Sequence, residues 1–379
     1  MRVLIAIDSF KGSASSSELA CEIEKGILRV YENCQIDSCI IADGGEGTVE
    51  ALSLTKKVQS VKVLCSDPLE NKIESIYNIS QDNIALIEMA SASGLPLVPL
   101  KKRDPSITTS YGTGDLIKDA IKKGIRKFIV GIGGSATNDA GIGMLRSLGF
   151  KFLDELGNEI FYAKDLDKIV FIDESCRLKE LDECTFKVAC DVNNPLCGEN
   201  GATFVYAKQK GANEDMLIDL DNKLNYFSNL VESIKCKRLK DIKGAGAAGG
   251  VGFGFLAFLN ASLESGIKIV LEQMDFKNKV KNVDIVITGE GKIDKQSSMG
   301  KVINGVAKVC KEERVTCIAL SGNSSEASEN LYEDGISACF SILNEPISLE
   351  NAMKKDVTLD LIGKKTEQIF RLIKSSAKI

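Results

Sequence analysis

The stretch that decides the fold is VLIAIDSFKGSASSSELACEIEKGILRV, residues 3–30. Its apolar start, Val3 to Ala6, is typical of a buried strand, and a polar loop that contains glycine follows directly. The segment from Ser15 to Val30 then opens with a Ser-x-x-Glu capping box and places its apolar residues at helical spacing. A strand, a polar loop and a capped helix in this order predict the first half of a βαβ unit.

The same kind of junction, an apolar run that leads into a loop of Gly, acidic and hydroxyl or amide residues, occurs five times. The five loops are Asp8–Ser13, Asp43–Thr48, Gly133–Asp139, Asp191–Pro195 and Thr288–Gly291. Ligands of α/β proteins bind at the carboxyl ends of parallel strands, where backbone N–H groups can approach an anion. Five such loops therefore predict a polar site assembled from several segments.

Beyond the opening stretch, the pattern changes twice along the chain. Between Val61 and Met89, three short runs separated by turn residues predict an antiparallel meander of strands. After about residue 266 the alternation of strands and helices resumes. Further elements are predicted as strands at 285–287, 315–320 and 336–343, and as helices at 214–234, 298–310 and 348–374.

This order predicts two domains, and the length of 379 residues also exceeds what a single core usually fills. Residues 1–62 and 267–379 are expected to form a discontinuous Rossmann-like domain with a parallel sheet. Residues 63–266 are expected to form an inserted mixed α/β domain. We therefore predict an α/β protein whose active site lies in the cleft between its two domains.

The composition argues against several classes of function. The chain has 44% hydrophobic and 27% charged residues, which is ordinary for a globular protein, and a formal net charge of -5. A protein that binds nucleic acid or an anionic membrane needs a dominant basic face, so neither partner is expected. No secretory signal or membrane-spanning run is recognisable and no CxxC pair occurs, so we expect a reduced, cytoplasmic protein.

The chain contains no histidine, and this limits its chemistry. A Ser-His-Asp or Cys-His nucleophile and a zinc ion held by histidine are both excluded. If the protein is an enzyme, its general base must be Asp, Glu, Lys or Tyr. The metal ion that suits carboxylate, hydroxyl and amide oxygens is Mg²⁺.

Two glycine patterns match dinucleotide-binding fingerprints. Gly244 to Gly249 fits GxGxxG, but polar residues 240–243 precede it where a buried strand is required. Gly131 to Ala136 fits GxGxxA after an apolar strand, and an NAD-dependent oxidoreductase that uses this turn stays open as an alternative. The hydroxyl, amide and carboxylate groups that continue to Asp139 suit an anion shared with Mg²⁺ better. The P-loop sequence GxxxxGK[ST] is absent, although phosphoryl transfer needs no single fixed motif.

Seven motifs, taken together, resemble the class I glycerate kinases. They are DSFKG (8–12), ADGGEGT (42–48), TSYGTG (109–114), GIGGSATND (131–139), ACDVNNPLCG (189–198), GAGAAGG (244–250) and ITGEG (287–291). The resemblance runs from the first residue to the last helix. It implies a two-domain α/β kinase that uses ATP and Mg²⁺ to phosphorylate D-glycerate to 2-phosphoglycerate. Formation of 3-phosphoglycerate stays an alternative, and both a monomer and a homodimer stay open.

The chemistry of this reaction suggests roles for the residues at the strand ends. Asp191 is expected to act as general base on the substrate hydroxyl, and Lys11 to neutralise phosphate charge. Arg103 is expected to bind the glycerate carboxylate, and Asp43 and Asp191 to hold Mg²⁺. The other expected contacts are Asp8, Ser9, Asp43, Gly44, Gly45, Glu46, Thr48 and Asn193 for the substrate, and Gly133, Gly134, Ser135, Thr137, Asn138, Gly289 and Glu290 for the nucleotide. Which loops hold ATP and which hold glycerate stays open at this point.

Three positions depart from the family pattern. Ile7, Asp104 and Ala140 stand where the family usually has Pro, Asn and Gly. None of the three removes a candidate catalytic group. Asp104, however, adds a negative charge beside Arg103, which is expected to weaken an anion contact there.

Overall fold

The computed structural model of the protein describes residues 1–39, 41, 48–55, 57–293, 302–323 and 329–376. In these ranges no helix combines the length and the apolar character needed to cross a bilayer. The chain folds into two compact units. We call them the first unit, Met1–Gly44 with Ile267–Ile379, and the second unit, Gly45–Gly266.

The elements are numbered in chain order within the described ranges. The strands are β1 (Arg2–Ile7), β2 (Gln35–Ser38), β3 (Val58–Ser66), β4 (Lys72–Ser80), β5 (Ile84–Glu88), β6 (Lys127–Gly131), β7 (Lys151–Leu153), β8 (Phe171–Asp173), β9 (Thr185–Ala189), β10 (Ser262–Glu264), β11 (Ile285–Lys292), β12 (Thr316–Asn323) and β13 (Ala338–Ser341). The helices are α1 (Ser16–Leu28), α2 (Thr48–Thr55), α3 (Ala90–Ser93), α4 (Tyr111–Lys122), α5 (Ile142–Ser147), α6 (Ala202–Tyr206), α7 (Glu214–Lys235), α8 (Ala247–Phe258), α9 (Gly266–Gln273), α10 (Phe276–Val280), α11 (Val302–Glu313), α12 (Glu329–Glu333), α13 (Leu349–Ala352) and α14 (Lys355–Ser376).

The first unit is built on a five-stranded, all-parallel sheet with the order β13-β12-β11-β1-β2. Counted within this unit alone, the order is 2-1-3-4-5, which is the flavodoxin-like arrangement of doubly wound sheets. The order therefore reverses between β1 and β11. Ile7 pairs with Gly289 at the carboxyl ends of these two strands, and the next N–H, of Asp8, donates to Gly289 O at 3.0 Å. In sheets of this kind, ligands bind in the crevice at that reversal.

Helices cover both faces of this sheet, which explains why β1 is apolar on both of its sides. On one face, Val3, Ile5 and Ile7 pack in a core with α1 and α14. On the opposite face, Leu4 and Ala6 pack in a second core with α9, α10 and α11. Because β1 contributes to both cores, it is the central element of the first unit.

Helix α1 begins where the sequence predicts and is held by the predicted capping box. The Ser15 hydroxyl accepts the N–H of Glu18 at 3.4 Å, and the Glu18 carboxylate accepts the N–H of Ser15 at 3.1 Å. Farther along, Gly26 lies directly against α14: a Cβ atom at this position would be 2.6 Å from Gly363 O and 2.9 Å from Thr366 Cβ. Glycine is therefore what allows the two helices to approach so closely.

The second unit contains a six-stranded mixed sheet with the order β10-β9-β6-β5-β4-β3. Strands β10, β9, β6 and β5 run parallel, whereas β5, β4 and β3 form the predicted antiparallel meander. Residues of α4, α5, α7 and α8 contribute to the core of this unit. The carboxyl ends of the neighbouring strands β5, β6 and β9 lie at one edge, at Glu88, Gly131 and Ala189.

The predicted α/β class is confirmed, but two strand assignments are wrong. The apolar pair Ile40-Ile41 ahead of the loop Asp43–Thr48 predicts the end of a second strand, but the second strand lies earlier, at Gln35–Ser38. This strand is a largely exposed edge strand without an apolar pattern. Thr288–Gly291, predicted as a loop, continues β11, which stays paired with β12 as far as Lys292. The polar residues expected after this strand therefore belong to it.

Two helix predictions need a correction near a helix end. The terminal helix predicted at 348–374 is two helices, since α13 ends with Met353 as its C-cap and α14 begins at Lys355. The helix predicted at 214–234 is α7, but Ile234, expected on its buried face, is 50% exposed in the last turn.

The predicted domain boundary after residue 62 falls inside β3. This strand pairs with β4 over its full length, from Val58 opposite Ser80 to Ser66 opposite Lys72, and it belongs to the second unit. The division into folding domains at 1–62 with 267–379 and 63–266 stays a prediction. The compact units place their first boundary ahead of α2, between Gly44 and Gly45.

The close contact of α1 with α14 predicts that Gly26→Ala lowers the free energy of unfolding by about 1–3 kcal/mol, because the new methyl group meets the backbone of Gly363. Chemical denaturation followed by circular dichroism measures this. Glu24→Ala, an exposed position of the same helix, is the matched control and should change the free energy by less than about 0.5 kcal/mol. Equal stability of Gly26→Ala and the control would contradict the packing described here.

Candidate active site

A cavity of about 1070 Å³, the first cavity, lies at the carboxyl ends of the strands of the first unit. Its charged lining comes from the reversal point of the sheet, with Asp8 and Lys11 after β1 and Glu290 and Lys292 at the end of β11. Its apolar lining is Phe10, Ile342, Leu343, Ile347, Leu349, Ala352 and Met353. The first cavity thus offers an apolar wall together with charged groups, a combination typical of small-molecule sites.

The loop after β1 has a fixed local geometry. The Asp8 carboxylate, only 5% exposed, accepts the N–H of Ser9 at 2.6 Å and its hydroxyl at 3.3 Å. Gly12 has a φ of 78°, and Phe10 forms a β-bridge with Ala14, so the chain turns sharply here. Lys11 is therefore exposed within a tight turn that also lines the first cavity.

Two buried hydroxyl groups lie close to the lining of the first cavity. Thr288 Oγ1 on β11 and Ser321 Oγ on β12 have no hydrogen-bond partner within the described ranges. Each is two residues or fewer from a lining residue, Glu290 or Gly322. Neither residue belongs to the lining, so these two hydroxyl groups lie behind the first cavity and are not candidate ligand contacts.

A cavity of about 750 Å³, the second cavity, lies at the carboxyl ends of β5, β6 and β9 in the second unit. The strand ends contribute Glu88, Gly133, Gly134, Ser135 and Asp191. Its other polar lining residues are Arg103, Tyr206, Gln209 and Lys210. Two basic side chains, a glycine turn and two strand-end carboxylates thus line one small cavity.

Lys210 is a buried cation that the sequence analysis missed. It ends the short 3₁₀ helix Lys208–Lys210, is 2% exposed, and donates from Nζ to Ser135 Oγ at 2.9 Å and to Thr137 O at 2.7 Å. Burial lowers the pKa of this ammonium to about 7, although the nearby carboxylate of Asp139 acts in the opposite direction. Sequence alone does not distinguish Lys210 from the exposed Lys208, because the burial comes from a distant loop.

Asp139 holds the loop after β6 from within. Its fully buried carboxylate accepts the N–H and hydroxyl of Ser110, both at 2.8 Å, and the N–H groups of Gly141 and Gly143 at 3.1 and 3.2 Å. Burial raises the pKa of Asp139, and these hydrogen bonds counteract it. Asp139 therefore positions the backbone that carries Gly133 to Thr137.

Two residues predicted to contact a nucleotide face the interior. Thr137 and Asn138 are fully buried and do not line the second cavity. Thr137 Oγ1 donates to Ala248 O at 3.3 Å, and Asn138 Nδ2 donates to Thr203 Oγ1 at 3.0 Å. Their side chains fasten the loop to neighbouring segments, whereas Gly133, Gly134 and Ser135 face the second cavity.

The glycine-rich segment 244–250 is explained by close backbone packing. Gly249 has a φ of 69°, and a Cβ atom there would lie 1.9 Å from Thr137 O. Gly246 would likewise bring a Cβ atom to 2.1 Å from Pro195 O. This segment supports the loops after β6 and β9. Close backbone packing therefore accounts for the glycines that match the dinucleotide fingerprint.

Arg103 lines the second cavity, as expected for a residue that binds a carboxylate. Its Nη1 donates to Gln209 O at 3.3 Å, next to Lys210. The carboxylate of the neighbouring Asp104 takes part in a local turn, in which its Oδ1 accepts the N–H of Ser106 at 2.9 Å. Within the described ranges Asp104 forms no ion pair with Arg103, and the expected weakening of an anion contact stays a prediction.

Asp191 is exposed at the end of β9 and lines the second cavity. Its Oδ1 accepts the N–H of Gly266 at 2.9 Å, which fixes the carboxylate relative to the strand ends. Asn193, expected to bind substrate, is exposed and is not part of the lining. Burial raises the pKa of the neighbouring Cys190 thiol to about 11, so that thiol is protonated and weakly nucleophilic at neutral pH.

Comparisons with known proteins show the family to which this chain belongs. A sequence profile described as the glycerate kinase family matches residues 3–374. The chain belongs to the glycerate kinase family. It is 44% identical over 356 residues to a glycerate 2-kinase of Escherichia coli (strain K12), with 93% of each chain covered, and 44% identical over 356 residues to a glycerate kinase of Bacillus subtilis (strain 168), again with 93% of each covered. The crystal structure of a candidate glycerate kinase 2 from Salmonella typhimurium LT2 superposes with a TM-score of 0.84 at 38% identity and 100% coverage of both chains.

The structure of this glycerate kinase family member divides the predicted site residues into two groups. Asp8, Ser9, Lys11 and Glu290 line the first cavity, and Gly133, Gly134, Ser135, Arg103 and Asp191 line the second. Gly289 is a strand residue packed against Leu320 O, and Thr48 is the fully buried first residue of α2. Asp43, Gly44, Gly45 and Glu46 lie outside the described residues. The residues expected to bind nucleotide therefore do not form one group.

The donor set of the first cavity fits Mg²⁺ of the kind a kinase uses. Among the described residues no group of three or more acidic or Cys side chains could enclose a metal ion. Mg²⁺ is usually held by one or two carboxylates together with phosphate oxygens and water. Asp8 and Glu290, which flank the paired ends of β1 and β11, match that pattern. Of the two ligands predicted from sequence, Asp191 lies in the second cavity and Asp43 lies outside the described residues.

The buried network of Asp139 predicts that Asp139→Asn lowers the free energy of unfolding by about 2–4 kcal/mol, because the NH₂ group that replaces one carboxylate oxygen cannot accept a hydrogen bond and would face buried N–H donors. Thermal and denaturant unfolding measure the loss. Asp167→Asn, an exposed position in the same unit, should be within about 0.5 kcal/mol of the unmodified protein. A stability loss below about 1 kcal/mol for Asp139→Asn would contradict its assigned role.

Proposed function

We propose that this protein transfers the γ-phosphoryl group of ATP, with Mg²⁺, to the 2-hydroxyl group of D-glycerate and forms 2-phosphoglycerate. The observation that carries the proposal is the pair of charged cavities at the carboxyl ends of two sheets, in a chain that belongs to the glycerate kinase family. The relative from Escherichia coli bears the name glycerate 2-kinase, which supports the 2-hydroxyl group as the acceptor.

The first cavity is the better candidate for the nucleotide. It lies at the reversal point of a flavodoxin-like sheet, where such folds bind nucleotide cofactors. Its apolar wall suits an adenine ring, and Lys11 and Lys292 suit phosphate groups. Glu290, predicted from sequence to contact the nucleotide, retains that role in the proposal. Asp8 and Ser9, predicted to contact glycerate, are proposed to contact the nucleotide instead.

The second cavity is the better candidate for glycerate. Its volume of about 750 Å³ is lined by Arg103, which suits a carboxylate, and by Asp191, which suits a hydroxyl group. The glycine turn at Gly133 and Gly134 exposes backbone that can approach a small polar ligand. The turn was expected to bind nucleotide, and the composition of this cavity favours the acceptor substrate instead.

In the proposed mechanism, Asp191 accepts the proton of the substrate hydroxyl group as that oxygen attacks the γ-phosphorus. The N–H of Gly266 holds the carboxylate in place at 2.9 Å. Lys11 and Lys292 reduce the negative charge that opposes attack on the phosphate groups. Mg²⁺, carried by the nucleotide and held by Asp8 and Glu290, would supply further neutralisation of the β- and γ-phosphates.

The geometry disfavours the alternative of an NAD-dependent oxidoreductase. In dinucleotide-binding folds, a helix follows the GxGxxG/A turn directly and points its N-terminus at the pyrophosphate. Here α5 begins only at Ile142, after a separate turn from Asp139 to Gly141. The buried polar groups of Thr137 and Asn138 occupy the intervening chain.

A coupled assay of ADP release tests the proposed function. We expect turnover that requires both D-glycerate and Mg²⁺, with little activity on L-glycerate, glycerol or no acceptor. Phosphorus NMR of the product should show 2-phosphoglycerate. ATP turnover without dependence on D-glycerate would reject the assignment, 3-phosphoglycerate would reject the regiochemistry, and reduction or oxidation of NAD(H) with a hydroxy acid would favour the oxidoreductase.

The base role of Asp191 predicts that Asp191→Asn lowers kcat by about 100-fold or more, since an amide cannot accept the proton. Binding of ATP should be retained, because Asp191 lies in the second cavity. Steady-state kinetics and nucleotide titration measure the two effects. Asn193→Ala, two residues away and outside the lining, is the control and should keep near-normal kcat. Near-normal turnover of Asp191→Asn would remove Asp191 from the base role.

A further inference from the structure

Lys210 carries a charged group that is almost completely buried. A lysine 2% exposed is rare, because its ammonium group loses the hydration that stabilises it in water. Such groups are normally paired with a carboxylate or bind an anionic ligand. Lys210 lines a cavity, so a ligand can reach it.

The partners of Lys210 are neutral. Its Nζ donates to a hydroxyl, Ser135 Oγ at 2.9 Å, and to a carbonyl, Thr137 O at 2.7 Å. An ammonium group has three N–H donors, and these two bonds use two of them. Asp139 is the nearby acid, but its carboxylate is already engaged by Ser110, Gly141 and Gly143 and makes no ion pair with Lys210. Within the described ranges, the positive charge is therefore left without an anionic partner.

A second cation is brought next to Lys210 by the backbone. Gly211, with a φ of 106°, turns the chain directly after Lys210, and a Cβ atom there would lie 2.2 Å from Arg103 O. The Arg103 guanidinium donates back to Gln209 O at 3.3 Å. The loop that carries Arg103 and the turn that carries Lys210 are thus packed together, and both side chains line the second cavity.

From these contacts we infer that Lys210 binds the carboxylate group of the acceptor substrate in the second cavity, together with Arg103. The inference deepens the proposed function and rests on it, because it names the group that anchors glycerate. Ser135 and Thr137 aim the ammonium, Arg103 supplies a planar pair of donors, and Asp191 lines the same cavity. A phosphate group could satisfy the same two cations, so the test includes nucleotide binding.

Binding of an anion at this site has a second consequence, proton uptake. Burial lowers the pKa of Lys210 to about 7, so part of the population is neutral at pH 7 and most of it at pH 8. An adjacent carboxylate favours the charged form and raises this pKa. Glycerate binding should therefore take up close to one proton at pH 8 and almost none at pH 5.5.

Other charged or titratable groups face the same region. Arg103 is a second basic group, Glu88 and Asp191 are carboxylates at the strand ends, and burial raises the pKa of Tyr206. Asp139, behind the loop, has a raised pKa of its own. Comparison with a variant that lacks the lysine separates the Lys210 proton from theirs.

The experiment measures direct binding of D-glycerate, without ATP, by isothermal titration calorimetry in two buffers of different ionisation enthalpy. Lys210→Met keeps the length of the side chain and removes its charge. We expect its Kd for D-glycerate to rise at least 30-fold, its proton uptake at pH 8 to disappear, and its Kd for ADP to stay within about twofold. Lys208→Met, an exposed neighbour in the same 3₁₀ helix, should match the unmodified protein in every measurement.

Each outcome has a defined meaning. Normal glycerate affinity of folded Lys210→Met overturns the inference, and a loss confined to ADP binding assigns Lys210 to nucleotide phosphate instead. If Lys210→Met does not fold, as judged by circular dichroism, proton uptake by the unmodified protein decides, and its absence at pH 8 overturns the inference. Failure of the unmodified protein to phosphorylate glycerate overturns the proposed function itself, which distinguishes the two failures.

Discussion

The parallel pairing of β1 with β11 is the interaction on which the first unit depends. It joins residues 3–7 to residues 285–289, which are separated by the whole of the second unit in sequence. The pairing places β1 at the centre of the sheet, where it contributes to both apolar cores. It also creates the reversal of strand order. The carboxyl ends of β1 and β11 meet at this reversal, and the residues there supply the charged lining of the first cavity.

In the second unit, buried polar groups hold the loops that line the second cavity. In the first unit, the corresponding cavity lies at a reversal of strand order. The loop after β6 carries few side chains that could pack, so Asp139 fixes it from below and the glycines of 244–250 let a neighbouring backbone press against it. Lys210 then crosses from another segment to Ser135 and Thr137. The result is a charged group held at a defined point of a small cavity, which is the kind of preorganisation that selective binding of a small acid requires.

Much of the fold could be predicted from the sequence because its signals are local. The capping box of α1, the meander of β3 to β5 and the amphipathic pattern of α7 each depend on residues close in the chain. The edge strand β2 was misplaced because an exposed strand need not be apolar, and β11 was cut short because its last residues are polar. Within the candidate site, the strand pattern predicts that residues such as Asp8, Ser135 and Asp191 lie at strand ends, and these residues line the two cavities. Lys210 was missed because its burial is created by residues some 75 positions away.

The discontinuity of the first unit also bears on how the chain folds during synthesis. All of Gly45–Gly266 is synthesised before Ile285, the first residue of β11. At roughly 5–20 residues per second, β1 waits tens of seconds for the strand it pairs with, while the second unit has its full sequence and can fold. During that time β1 is an apolar segment without its neighbour, a state in which chaperones or rapid folding of the second unit protect against aggregation. The discontinuity of the first unit therefore sets an order of folding. The parallel sheet of the first unit can be completed around β1 only after the second unit has been synthesised.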